Sequence, residues 1–207
     1  MKKLFLVFGV AGMLFTACVS NPEGEKAETT EAAEVAAIDG TELSINTETS
    51  KVFWTGRKVS GQHNGDIKIK SGFVTVAGDQ LTGGKFVIDM NSLNTLDLQG
   101  EWKGKLDGHL KSDDFFATSK FPDATLEITN VTGSGVATVD VSANLTIKDI
   151  TKNITFKANV TEITEDSFKA NADFNIKRAD WGVTYAGQAD DLISEEINFK
   201  VDLTAGN

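Results

Sequence analysis

From residue 41 onward the chain alternates apolar and polar positions with a period of two, the spacing that puts successive side chains on opposite faces of a strand. Phe86, Ile88 and Met90 alternate with Val87 and Asp89, and Val139, Val141, Ala143, Leu145 and Ile147 alternate mostly with polar residues, as do Ile154, Phe156, Ala158 and Val160. Two later runs are the most regular. Phe168, Ala170, Ala172, Phe174 and Ile176 oppose Lys169, Asn171, Asp173, Asn175 and Lys177, and Ile197, Phe199, Val201 and Leu203 oppose Asn198, Lys200, Asp202 and Thr204. Each predicts a strand with one dry and one wet face. Segments 43–45, 51–55, 66–70, 72–77 and 124–129 alternate less cleanly and bring the set to about eight strands. Gly61, Asn64-Gly65, Ala77-Gly78-Asp79, Gly83-Gly84 and Gly133-Ser134-Gly135 read as the turns of an antiparallel arrangement.

A sheet with one apolar face must close on itself or find a covering layer, and no long amphipathic helix is available to cover this one. The expected fold is therefore all-β, an extended antiparallel barrel with a short helix. The helix is placed in 108–122 (GHLKSDDFFATSKFP), the one stretch that does not alternate. Lys111, Phe115 and Phe116 have helical spacing there, and Pro122 blocks continuation because it has no amide hydrogen and constrains the residue before it. This segment is expected to plug or gate one end of the barrel, with Phe115 and Phe116 tucked inward. A membrane-spanning barrel would also alternate, but it needs aromatic girdles at both interfaces, and one tyrosine with three tryptophans is too few to build them.

The first residues follow a different rule. Met1-Lys2-Lys3 is basic, residues 4–17 are an uncharged apolar run, and the run ends at Ala17-Cys18. Such a run is short for a bilayer span and fits a signal-peptide core, and a small residue before cysteine resembles a bacterial lipobox. Residues 1–17 are thus expected to be a lipoprotein signal, cleaved before Cys18. Acylation of Cys18, the only cysteine, would attach the protein to a membrane, in the outer membrane of a Gram-negative bacterium and facing the periplasm. Residues 18–40 carry six acids (Glu23, Glu25, Glu28, Glu31, Glu34, Asp39) against Lys26 and no aromatic residue, which predicts a flexible acidic tether. The folded domain is expected over 41–207.

Composition sharpens the list of functions. The net charge of −10, with only Arg57 and Arg178 as arginines, gives no basic stripe for a phosphate backbone and argues against nucleic acid as partner. No nucleophile elbow, phosphate loop, H-E-x-x-H or C-x-x-C occurs, so no catalytic residue, cofactor or metal is expected. His63 and His109 either meet Asp66 or Asp107 in space and hold a metal or, more simply, hydrogen-bond their own loops. Asp113 and Asp114 are adjacent and so do not face each other on a helix, which makes them a solvated patch or a cap. Arg178, in Arg178-Ala179-Asp180-Trp181-Gly182, either receives an anionic head group beside Trp181, or pairs with Asp180 or closes the barrel end. The inward face mixes phenylalanines with Ala143, Ala158, Ala170 and Ala172, which leaves room that an all-large face would fill.

An ordered set of short motifs resembles the YceI-like family. It comprises Gly65 after His63, Asp89-Met90 with Ser92-Leu93, the block from His109 through Phe115-Phe116, Phe121-Pro122, Leu145-Thr146-Ile147-Lys148 with Thr151-Lys152, and the Arg178 to Gly182 run. The resemblance covers nearly all of 41–204. It implies a lipocalin-like barrel with an elongated hydrophobic cavity, no established catalytic residues, and a polyisoprenoid or other long-chain amphiphile as ligand. Two features depart from the family pattern: 96–106 (LDLQGEWKGKL) is longer and more charged, and Trp181 stands where another aromatic is usual. The residues expected to line the cavity are Phe86, Ile88, Met90, Phe115, Phe116, Leu145, Ile147, Phe156, Phe168, Ala172, Phe174, Ile176 and Phe199, with His63, His109, Lys111 and Arg178 toward a head group. The expected function is sequestration or transport of the ligand at the cell envelope. The alternative is a non-enzymatic envelope stress or interaction module that uses the barrel only as a scaffold.

Overall fold

The structure, a computed structural model, describes residues 19–36 and 39–206. The signal segment and Cys18 lie outside the described residues. In chain order the elements are β1 (Glu25–Lys26), β2 (Glu28–Glu31), β3 (Thr41–Ser44), β4 (Lys51–Lys58), β5 (Gly61–Ala77), β6 (Gln80–Thr95), α1 (Gly100–Lys111), β7 (Asp123–Thr132), β8 (Thr138–Ile147), β9 (Ile150–Ile163), β10 (Ser167–Lys177), a 3-10 turn (Arg178–Trp181), β11 (Gly187–Gln188) and β12 (Asp191–Gly206). Eight antiparallel strands form the wall in the order β10-β12-β4-β5-β6-β7-β8-β9, and β9 pairs back to β10 to close the barrel. Alternation dictates the result: the apolar face of each strand turns inward, and closure removes the edges that a flat one-sided sheet would expose.

Two of the expected turns are not turns. Segments 66–70 and 72–77 belong to the single strand β5, which also contains Asn64-Gly65, while Gly83-Gly84 lies inside β6. These glycines serve close approach instead. A Cβ on Gly65 would collide with the Trp54 ring and the Asn94 carbonyl, and one on Gly84 would sit 2.9 Å from the Phe73 carbonyl oxygen. The irregular alternation of β5 also has a cause, since its ladder with β6 shifts register between Asp66 and Lys68, between Ile69 and Ser71, and between Thr75 and Val76. The true hairpin between β8 and β9 uses Lys148 and Asp149, both at positive φ (52° and 60°), the geometry of a tight two-residue hairpin turn.

The helix lies upstream of its expected place. It occupies the charged stretch at Gly100–Lys111 and overlaps 108–122 only at its last turn. Trp102, Leu106 and Leu110 supply a four-residue spacing that Gly100, Gly104 and Gly108 obscure in the sequence. The Thr95 amide donates to Asp107 Oδ1 at 2.8 Å and Lys103 Nζ donates to Asn94 Oδ1 at 2.6 Å, which ties the helix to the end of β6. Beyond Lys111 the chain turns back, with the Phe116 amide on the Leu110 carbonyl and the Thr118 amide on the Lys111 carbonyl. That reversal buries Phe115, Phe116, Ala117 and Thr118.

The acidic segment before residue 36, expected to be a flexible tether, instead straps the barrel. β9 and β10 pair with each other only from Ala158–Ile163 and Phe168–Ala172, and then diverge. Into the gap runs the N-terminal segment, β1 parallel to β10 at Phe174 and Asn175, and β2 antiparallel to β9 from Lys152 to Thr155. Ala27, between the two short strands, is buried, and its amide donates to the Asn175 carbonyl. The strap also overturns part of the wet-face expectation. Asn175 and Asn198 point outward yet are only 1% and 2% exposed, because Asn175 Nδ2 donates to the Pro22 carbonyl and Asn198 Nδ2 to Asn175 Oδ1 beneath the strap.

Candidate functional site

The inward faces enclose an elongated cavity of about 420 Å³ that runs along the barrel. Strand parity brings the candidate residues together: twelve of the thirteen apolar candidates line it, from Phe86, Ile88 and Met90 on β6 to Phe156 on β9, Phe168, Ala172 and Phe174 on β10, and Phe199 on β12. Phe115 and Phe116 line it from the segment after the helix. Ile176 does not; it is fully buried away from the cavity wall. Trp181 is likewise a core residue rather than a stacking platform, with its indole nitrogen donating to the Leu145 carbonyl at 2.9 Å. The space survives where small residues face large ones. Ala158, Ala170 and Ala172 lie on the wall with Phe156 and Phe174, whose rings stack at 4.3 Å, whereas Ala143 is sealed in the wall.

Several lining residues escaped the sequence reading. Val52 and Trp54 on β4 and Ile67 and Ile69 on β5 alternate correctly, but their runs are short and interrupted by the glycines and register shifts described above. Tyr185 had no periodic signal at all. It sits in the irregular link after Gly182 and reaches the cavity because its ring packs edge-on against His109, at 4.8 Å, and against Phe115.

The two ends of the cavity differ. At the far end, Val74, Leu81 and Phe168 are buried among Leu43, Val76 and Val160. At the helix end the lining includes Lys58, His63, His109, Gln188 and Asp191, all at least partly exposed, and this end is the mouth. Of the head-group candidates, His63, His109 and Arg178 reach the cavity and Lys111 does not.

Most of the charges at this end are already committed. Arg178 is buried and forms no ion pair with Asp180. Its Nε donates to the Ser194 carbonyl (2.8 Å), and its two terminal nitrogens donate to the carbonyls of Val183 (2.8 Å) and Ile193 (3.3 Å). Burial pushes its guanidinium below the ordinary value, opposed by the nearby Glu195 carboxylate. Arg178 therefore staples the loop after the 3-10 turn to β12, the barrel-closing reading of this residue. His63 Nδ1 sits 2.8 Å from Asp97, and burial of that carboxyl is outweighed by the Asn64 amide and His63, which hold it below its usual range. Lys58 and Ser60 hold Asp191 at about 2 by hydrogen bonding, with the Lys58 charge adding to the effect. What the site offers is a long apolar surface with a polar, mostly self-satisfied rim, an arrangement suited to holding an amphiphile by its tail.

Comparison with known proteins agrees with this geometry. A family model described as "YceI-like domain" matches residues 43–205. Among curated proteins, a UPF0312 protein of Shewanella denitrificans is 29% identical over 131 residues, covering 60% of this chain and 63% of that protein. A UPF0312 protein of Pseudomonas aeruginosa is 39% identical over 74 residues, covering 36% of this chain and 35% of that one. The chain therefore spans less than two thirds of the length of these curated relatives. Among solved structures, Burkholderia cenocepacia BcnA superposes with a TM-score of 0.61 at 18% identity, covering 78% of this chain and 99% of that one. A polyisoprenoid binding domain from Saccharophagus degradans, implicated in plant cell wall breakdown, gives 0.61 at 23% identity, covering 79% and 97%. At these identities the two structures establish the shared fold.

Proposed function

The chain belongs to the YceI-like domain family, and from that premise we propose that it is a non-catalytic binding protein that holds a long-chain amphiphile, a polyisoprenoid or fatty-acyl lipid, in its barrel. The observation that carries the reading is the continuous, largely apolar cavity, buried at the far end, with its charged lining residues gathered at the helix end. The polyisoprenoid binding domain of Saccharophagus degradans, which has the same fold, supports an isoprenoid tail. In the cell the protein would sequester or carry this lipid at the envelope, anchored through acylated Cys18. The basic and apolar leader and the placement of the sole cysteine support that assignment.

Dimensions and energetics fit. The cavity lining runs from Phe168 past Phe174 to Arg178, and β10 from Phe168 to the level of Ile176 spans about 27 Å of strand and, at a tilt of about 40°, about 20 Å of barrel axis. A fully extended chain advances about 1.2 Å per bond, so the axis accommodates about sixteen bonds. Burial at roughly 0.8 kcal/mol per methylene gives about 12 kcal/mol for fifteen carbons, of which association removes about 4 or more. The remaining ~8 kcal/mol corresponds to micromolar binding by the tail alone. Rim groups then select among heads rather than supply most of the affinity.

Mass spectrometry of an organic extract of natively purified protein is expected to find a co-purifying long-chain amphiphile. Ala172→Phe, which fills the cavity beside Phe156 and Phe174, is expected to lower uptake of a fluorescent fatty acid at least about tenfold, a loss of about 1.4 kcal/mol, while the strand signal in circular dichroism is kept. Delipidated wild-type protein that takes up no amphiphile of any class would refute the proposal.

A further inference from the structure

Exposed apolar side chains are concentrated at one end of the barrel. Among the described residues seven large ones are exposed: Phe53 on the outer wall, Val35 in the N-terminal segment, Val136 at the far end, and four, Val59, Leu96, Trp102 and Ile150, at the mouth. Trp102, in the first turn of α1, is 69% exposed and Leu96 is 52%. Val59 lies in the β4–β5 turn and Ile150 follows the β8–β9 turn, so the four come from separate elements that converge on the same end.

Trp102 connects this end to the cavity. A shallow groove between α1 and the β4–β5 hairpin is lined by Leu98, Trp102, Lys105 and Leu106, and it shares Lys58, His63, Leu106 and His109 with the cavity lining. Much of the negative charge around it is paired in place: Lys58 with Asp191, Lys105 with Glu101, Lys103 with Asp107, and Lys120 with Asp113. Lys105 Nζ lies 4.7 Å from the centre of the Trp102 ring. A tryptophan beside lysine at the edge of an apolar patch suits the headgroup layer of a bilayer, where the ring can lie at the boundary and the ammonium remain in water.

The chain's own path supplies a second, independent argument. Asn21 is fixed at the mouth: Ser194 Oγ donates to its side-chain oxygen at 2.8 Å and Arg57 donates to its carbonyl at 3.4 Å. Cys18 is three residues earlier, a chain length of at most about 11 Å. A lipid anchor on Cys18, as proposed above, would leave a tether of only that length between the membrane and Asn21.

Building on the amphiphile-binding reading, we propose that the mouth end is a bilayer-docking face, on which Trp102, Leu96, Val59 and Ile150 enter the interfacial layer of a lipid membrane and set the cavity opening against it. The ligand then passes between membrane and cavity without its tail crossing water.

The test uses the full chain as processed in a Gram-negative host, bound to phosphatidylcholine vesicles containing lipids brominated at a shallow acyl position. Trp181 is buried in the core and Trp54 lies on the cavity wall, so the quenching that Trp102→Phe removes reports Trp102. Fluorescence is expected to be quenched in the wild type and clearly less quenched by bromolipid in Trp102→Phe. In a parallel assay, Leu96→Glu with Trp102→Glu is expected to slow transfer of a fluorescent fatty acid to vesicles at least tenfold while leaving equilibrium affinity in solution unchanged. Unquenched Trp102 in vesicle-bound wild type, or transfer rates indifferent to the two glutamates, would overturn the proposal. So would a vesicle-free dimer that hides Trp102, seen by sedimentation, because it would assign the face to a second copy of the chain. Quenching by a protein that takes up no amphiphile would uphold docking and defeat the ligand reading instead.

Discussion

Gly65 illustrates how a single residue can be misread from sequence and still be decisive. Following Asn64 it has the composition of a hairpin turn, yet it lies inside β5, directly opposite Trp54 on β4 and Thr95 on β6. Its missing side chain is the space the Trp54 indole occupies, and the Asn94 carbonyl closes the other side. A backbone carbonyl cannot swing away as a flexible side chain could. Gly65→Ala is therefore expected to destabilise the protein by about 2 kcal/mol, in the range of overpacked core substitutions, read as a lower urea midpoint with unchanged slope. An unchanged midpoint would mean that Trp54 relaxes freely and that the glycine is incidental. Arg178 shows the converse case: the sequence offered either a head-group ligand or a closure residue, and the three carbonyl acceptors assign it to closure.

At the scale of elements, the N-terminal strap changes the picture most. β9 and β10 are each long enough to pair throughout but separate above Ala158 and Ala172, and β1 and β2 supply the hydrogen bonds that the gap would leave open. Charge contributes little to holding the strap. Its ion pairs, Glu31 with Lys152, Glu25 with Lys157 and Lys26 with Glu196, are each more than half exposed on the strap side, while Ala27 is a buried apolar anchor. Ala27→Asp is expected to release it, raising amide exchange in β2 and its β9 partners at Lys152–Thr155 at least about tenfold while β5 and β6 exchange as before. Equal protection in the variant would show that the strap is held elsewhere. The helix carries a similar lesson. It buries no residue completely and is held by polar ties to the end of β6, so a hydrophobic signature strong enough to place it was never present in the sequence.

For the whole molecule, the closed far end sets a limit on the ligand. Affinity for a homologous series of fatty acids is expected to rise with each added methylene up to about sixteen carbons and then level off, because further carbons would remain outside the mouth. A steady rise well past that length would show that the far end opens. The amino-acid sequence by itself determined that the strands are one-sided, that a barrel must close them, and which side chains face inward, because strand parity is a property of covalent geometry and survives any arrangement of neighbours. It could not determine whether a glycine turns the chain or admits a ring, whether an inward residue such as Ile176 reaches the cavity or is sealed behind the wall, or what covers Asn175 and Asn198. Those answers depend on residues far apart in sequence, Gly65 with Trp54 and Asn94, and Ala27 with Asn175. Only closure of the barrel, with the strap laid into its seam, brings such partners together.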